Sequence, residues 1–119
     1  VSDTWYGIAR GTYLKSGTCS LTKKDSTHAL CSGSTDAHIR ADRVYVRVYL
    51  DQSSTGKSGS WGTIDYWRGT ATNASVATAS SGSYKVTANK YYRATGAHSV
   101  TEGTTTEATD STTSALLFK

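Results

Sequence analysis

The chain has 119 residues, enough for one domain with its own core and too few for two ordinary ones. Hydrophobic residues make up only 36%, so the 8 Tyr and 3 Trp must supply much of the buried bulk. The formal charge of +4 comes from 13 basic and 9 acidic side chains without a Lys/Arg run; it fits a solubilising surface and supports no more than loose attraction to polyanions.

No window carries a sustained i, i+3, i+4, i+7 apolar period with caps, so the chain is expected to be almost free of helix. There is no apolar stretch long enough to span a membrane. Starting Val1-Ser2-Asp3 without an initiator Met, it reads as the mature product of a longer precursor. Residues 1–119 are taken as a single domain.

In chain order, Trp5 to Leu14 reads as a strand in which Gly7 and Gly11 allow a bulge or a close backbone approach. Thr18 to Thr22 and His28 to Ser34 form a hairpin around the polar turn Lys23 to Ser26. This hairpin carries the only cysteines, Cys19 and Cys31. The pair is read as a disulfide in preference to two thiols or half of a zinc site. Closing so short a loop would stabilise the fold by about 3 kcal/mol in the chain-entropy model.

Arg43 to Leu50 is the clearest strand. Val44, Val46, Val48 and Leu50 make one aliphatic face; Arg43, Tyr45, Arg47 and Tyr49 make the other. The loop Gln52 to Ser60 is rich in Gly and Ser. Trp61 to Arg68 follows as a strand on which Trp61, Thr63, Asp65 and Trp67 share a face. A short strand is placed around Ser75 to Ala77, and another at Tyr84 to Ala88. The sequon Asn73-Ala74-Ser75 is a chance match unless the host glycosylates.

Tyr91 to Val100 is the second long strand, and its Tyr92, Ala94, Gly96, His98 phase is small in the middle. That phase lets a facing sheet approach or leaves room for an indole. Ser114 to Phe118 closes the domain. The strand-turn-Tyr91-Tyr92-Arg93 pattern reads as a tyrosine corner, in which Tyr91 or Tyr92 bonds an upstream backbone group through its hydroxyl. The expected fold is all-β: an antiparallel sandwich of immunoglobulin or fibronectin type III kind, with about seven to nine short strands and one disulfide.

Chemistry is sparse. No Gly-x-Ser-x-Gly turn accompanies the many serines, and the nine acids are scattered rather than paired. His28, His38 and His98 lack metal-ligand spacing and read as hydrogen-bonded strand residues. No enzyme activity, cofactor, metal site or specific nucleic-acid site is expected. What remains is aromatic and basic. Arg43, Tyr45, Arg47 and Tyr49, together with Trp61, Asp65 and Trp67, would form a flat platform if their strands are neighbours and face solvent. Against this, a sandwich tryptophan is normally core, and at least one of Trp61 and Trp67 is expected there.

Several short patterns accompany these residues: Tyr91-Tyr92-Arg93, Thr95-Gly96-Ala97-His98, Thr104-Thr105-Thr106-Glu107, the pair Trp61 and Trp67 after a Gly/Ser loop, and Gly33-Ser34-Thr35 ahead of Val44 to Leu50. With them the chain resembles small secreted proteins of Gram-positive bacteria (Firmicutes) in an uncharacterised family. The resemblance covers most of the chain after Gly11, and Cys19 and Cys31 are not part of it. It implies an exported β-domain, secreted or held at the cell surface, without catalytic residues.

Three functions compete. The first is a non-enzymatic extracellular domain acting through protein contacts, as a surface or matrix component or by self-association. The second is a module binding cell-wall glycan or another polyanion through the aromatic-basic residues. The third is a secreted antimicrobial toxin or inhibitor.

Overall fold

The computed structural model describes residues 12–119 and the backbone of residues 2–6. The expectations for Gly7 and Gly11 lie outside the described residues. The elements are β1 (Ser2–Tyr6), β2 (Leu14–Asp25), β3 (His28–Ser53), β4 (Gly62–Lys85), β5 (Lys90–Glu102), β6 (Thr105–Thr112) and β7 (Leu116–Phe118), with no helix among the described residues. All pairings are antiparallel. The sheet runs β1-β2-β3-β5-β6, with β4 on β3 and β7 on β5.

The organising element is β3, 26 residues long. Its first half pairs with β2 and its second half with β5, while β4 follows it along both halves. Between Asp36 and Ala41 the β3–β4 register shifts, and Asn73 on β4 takes a left-handed φ of 51°. Together these turn the ribbon, because an irregular register and a left-handed residue both break the regular pleat. The sheet therefore curls over itself into a half-barrel. This corrects the expected immunoglobulin-like sandwich of short strands: segments read as separate strands, such as His28 to Ser34 and Arg43 to Leu50, are halves of one bent strand.

The bend brings the two halves of β4 together. A Cβ on Gly69 would stand 1.9 Å from the Thr78 carbonyl oxygen, so only glycine allows this approach. Trp67 and Tyr84, also from opposite halves of β4, meet edge to face at 5.1 Å. At the opposite side, Glu107 on β6 accepts backbone N–H bonds from Thr12, Tyr13 and Leu14 at 3.1, 2.8 and 2.7 Å. These bonds tie the start of β2 to β6 and hold the Glu107 carboxyl below the usual range, the Leu14 bond contributing most.

The core lies between the two halves of the sheet. Val44, Val46, Val48 and Leu50 are fully buried, as their alternation requires, with Leu21, Ala94, Tyr92 and Phe118 among their companions. Tyr92 forms the corner expected for this region. Its hydroxyl accepts the Thr87 N–H at 2.8 Å and a bond from Gln52 Nε2 at 2.7 Å. The small positions of β5 let β2 approach, and the space is taken by His98 and Cys19 rather than by an indole.

The cysteines are not bonded to each other. Cys19 lies opposite Gly33 and Cys31 opposite Leu21, so the two are diagonal across the β2–β3 ladder. Diagonal positions stand about 7–8 Å apart, beyond the spacing a disulfide accepts. Each thiol instead donates across the core, Cys19 to the Ala94 carbonyl at 3.6 Å and Cys31 to the Tyr49 carbonyl at 3.7 Å.

Candidate functional site

Where Val44 to Leu50 point inward, Arg43, Tyr45, Arg47 and Tyr49 must point outward, and they do so as a row along the outer face. On the neighbouring strand, Tyr66 stands opposite Tyr49 and Arg68 opposite Arg47. The rings and guanidinium groups interlock. Arg43 lies over Tyr45 at 5.1 Å, while Arg47 lies over Tyr45 at 5.8 Å and over Tyr66 at 5.1 Å. Tyr49 and Tyr66 meet at 6.0 Å between ring centroids. Tyr66 is 49% exposed, so the row lies open.

Two features of this row are costly by themselves. Arg47 and Arg68 are directly opposed like charges, which destabilises a cross-strand pair. Arg47 Nε is buried without a hydrogen-bond partner among the described residues. Its Nη1 donates to the Tyr49 hydroxyl at 3.5 Å, and this bond leads the factors that raise the Arg47 pKa.

The platform is not the one expected from the sequence. The β3–β4 register shifts between Leu50 and Asp51, so that Leu50 faces Asp65 while Asp51 faces Thr63. This extra residue on β4 is a bulge, and it reverses the phase of everything before it. Trp67 and Asp65 fall on the inner phase. Trp67 is half-buried and packs against the core without being one of its buried members, so the expectation that at least one of Trp61 and Trp67 is core is met only in part. Asp65 accepts the Tyr66 backbone N–H at 2.8 Å and bonds Tyr84, whose pKa is raised first by burial and then by Asp65. Trp61 and Thr63 fall on the outer phase with Asp51. The structure thus joins Arg43, Tyr45, Arg47 and Tyr49 as expected, replaces Trp67 and Asp65 by Tyr66 and Arg68, and sets Trp61 at one end.

At that end, Asp51 is only 4% exposed and holds Arg93 Nε at 3.1 Å through Oδ2. Thr63 Oγ1 donates to Asp51 Oδ1 at 2.8 Å, and Thr95 Oγ1 to Oδ2 at 3.4 Å. The Arg93 guanidinium lies over the Trp61 ring at 4.5 Å. Sequence reasoning missed Arg93, although its place two residues beyond Tyr91 on an alternating strand was a usable signal.

A second constellation is internal. His98, 1% exposed, bonds Thr35 Oγ1 through Nδ1 at 2.8 Å and Ser111 Oγ through Nε2 at 2.7 Å. Thr35 Oγ1 donates onward to the Tyr45 carbonyl at 2.9 Å, so it accepts from His98, and Ser111 donates to Nε2. Burial holds the His98 pKa below its ordinary value, against a smaller opposing effect of Asp110. Ser111 is itself buried, which leaves this chain of hydroxyls and imidazole without room for a substrate. No group of three or more metal-ligating side chains is found among the described residues.

A family model described as a family of unknown function (DUF6147) matches residues 1–116. No curated protein and no solved structure matches the chain.

Proposed function

We propose that this chain, which belongs to the family of unknown function DUF6147, is a non-enzymatic binding module for a linear anionic polymer of the cell-wall glycan class. The observation that carries the reading is the opposed pair Arg47 and Arg68 on an open face, with Arg47 clamped between Tyr45 and Tyr66. A solubilising surface separates its like charges. A surface that recognises anions concentrates them and accepts the repulsion until the ligand arrives.

The shape supports a polymer over a small molecule. From Arg43 to Asp51 the row extends roughly 26 Å, and side chains on this face repeat about every 6.6 Å. It has no walls, so affinity would come from many weak contacts along a chain. The aromatic faces suit stacking and the guanidinium groups suit carboxylate or phosphate oxygens. Placement outside the cell rests on the resemblance alone, since the cysteine pair no longer argues for an oxidising compartment.

Co-sedimentation with insoluble wall material at increasing salt tests the reading. Retention should fall with salt and be lost in the double variant Tyr45→Ala/Arg68→Ala, which should still unfold in one cooperative transition. Salt-independent retention, or equal retention of the variant, would refute it.

Self-association is the second reading. β4 pairs only with β3 among the described residues, which leaves a 24-residue strand with one edge open. Asp65 covers the Tyr66 N–H on β4 and works against strand addition there. Size-exclusion chromatography decides: a monomer at high concentration removes this reading.

A further inference from the structure

Beyond the open row there is a second candidate site. A cleft of about 490 Å³ lies between the loop after β3 and the connection from β6 to β7, with Ser58, Trp61, Arg93, Thr113 and Ala115 in its lining. That volume falls within the roughly 300–1,000 Å³ typical of small-ligand sites.

Its chemistry is preset. Arg93 is held twice, by Asp51 at Nε and by stacking on Trp61, so the guanidinium is oriented before any ligand arrives. Asp51 occupies only the Nε side. Among the described residues nothing else bonds Arg93, so the Nη donors keep their capacity for a second two-oxygen group. The loop that walls the cleft is also fixed. Ser53 Oγ accepts the N–H groups of Thr55 and Gly56 at 3.2 and 2.8 Å, and Ser60 Oγ donates to the Lys57 carbonyl. Lys57 lies on this loop, and Lys90 is anchored to it through Ser54 Oγ at 3.1 Å. The cleft lining includes no acidic side chain, and the one carboxylate beneath it, Asp51, is matched by Arg93.

We infer that this cleft is a subsite for one anionic unit of the polymer, a carboxylate or phosphate carried on a sugar or polyol. The oxyanion bonds the Arg93 Nη groups, and the ring or chain carrying it lies along Trp61 and the Thr113 to Ala115 wall. The inference deepens the polymer reading and rests on it: the row binds the chain along its length, and the cleft reads what the units carry.

The test uses three soluble hexamers: galacturonate, glycerol phosphate and neutral maltohexaose. Binding is followed through the indole N–H of Trp61 and the Nε–H of Arg93 by NMR. One or both anionic hexamers should shift these signals, and their relative strengths identify the oxyanion; maltohexaose should not. Ala115→Trp fills the cleft from an exposed position, and Ser58→Glu places a carboxylate in it. Each should weaken hexamer binding by about tenfold or more, the loss expected when a charged hydrogen bond is forfeited. Both should leave the melting temperature unchanged.

Tyr45→Ala should reduce retention on wall material and leave the hexamer-induced Trp61 shift in place. If the anionic hexamers move only Tyr45 and Tyr66 signals, or if Ala115→Trp binds as the parent does, the subsite is refuted while the row stands. If wall material is not retained and no hexamer binds, both readings fall.

Discussion

Gly17→Ala tests how the two halves of the sheet are held together. A Cβ at Gly17 would stand 2.3 Å from His98 Cγ, 2.4 Å from Cδ2 and 2.7 Å from Nδ1. The imidazole would have to retreat by about 1.5 Å to restore ordinary carbon–carbon contact. It has nowhere to go: Thr35 and Ser111 hold both ring nitrogens, and Gly96 lies close enough that its own added Cβ would reach Nε2 at 2.7 Å. A shift of that size breaks at least one buried hydrogen bond, worth about 1–3 kcal/mol, and overpacking adds about 1–3 kcal/mol. The expected loss is therefore about 2–6 kcal/mol, a large part of a small domain's stability. Urea denaturation followed by tryptophan fluorescence at pH 7.5 measures it. Gly33→Ala is the control, since its Cβ would meet Val48 Cβ at 3.3 Å and the Thr18 carbonyl oxygen at 3.2 Å, contacts that a small adjustment relieves. If Gly17→Ala lies within about 0.5 kcal/mol of the parent, the ordinary range for surface substitutions, the clamped slot is wrong.

The same histidine sets an acid sensitivity. Its folded pKa is depressed by burial, so its stabilising effect is complete above the unfolded value of about 6.5 and is lost as pH falls through the folded pKa. Stability should decline below about pH 6.5, with a slope approaching 1.4 kcal/mol per unit, before the carboxylates Glu107 and Asp25, both held low, contribute near pH 4 and below. Urea midpoints from pH 8 to 5 give the slope, and a His98→Gln variant with an undiminished slope would contradict the assignment. For Cys31, burial first, then Cys19 and Asp51, push the thiol pKa up to about 12. Iodoacetamide at pH 8 should leave Cys31 unmodified in the folded protein and label it in urea; rapid native labelling would mean the core opens there.

Much of this architecture was legible where alternation was unbroken. Val44 to Leu50 on one side and Arg43 to Tyr49 on the other followed from the period of two, and Tyr92 from the spacing of a corner. What escaped were the points where the period breaks. The extra residue around Ile64 is a bulge with no Gly or Pro to announce it, and it moved Trp67 and Asp65 off the face assigned to them. The bend from Asp36 to Ala41 had no signal in the sequence, because a strand's hydrogen bonds to distant partners leave no local mark. The cysteine pair failed for a similar reason: residue spacing allowed a bridge, and only the register, one diagonal step out, excluded it.

Arg68→Thr separates stability from function on the outer face. In the parent, Arg68 and Arg47 face each other across β3 and β4 with no carboxylate between them among the described residues. Threonine favours strands, already occupies the same face at Thr70 and Thr72, and removes the repulsion. The variant should gain about 0.2–1 kcal/mol, the range of cross-strand pair effects, and the gain should shrink in high salt as the parent's repulsion is screened. Retention on anionic wall material should move the other way. If Arg68 served only solubility, the substitution would leave retention untouched, and if it were paired unseen, stability would fall. A variant that is more stable yet binds less would mark Arg47 and Arg68 as charges kept at the fold's expense for a ligand that neutralises them.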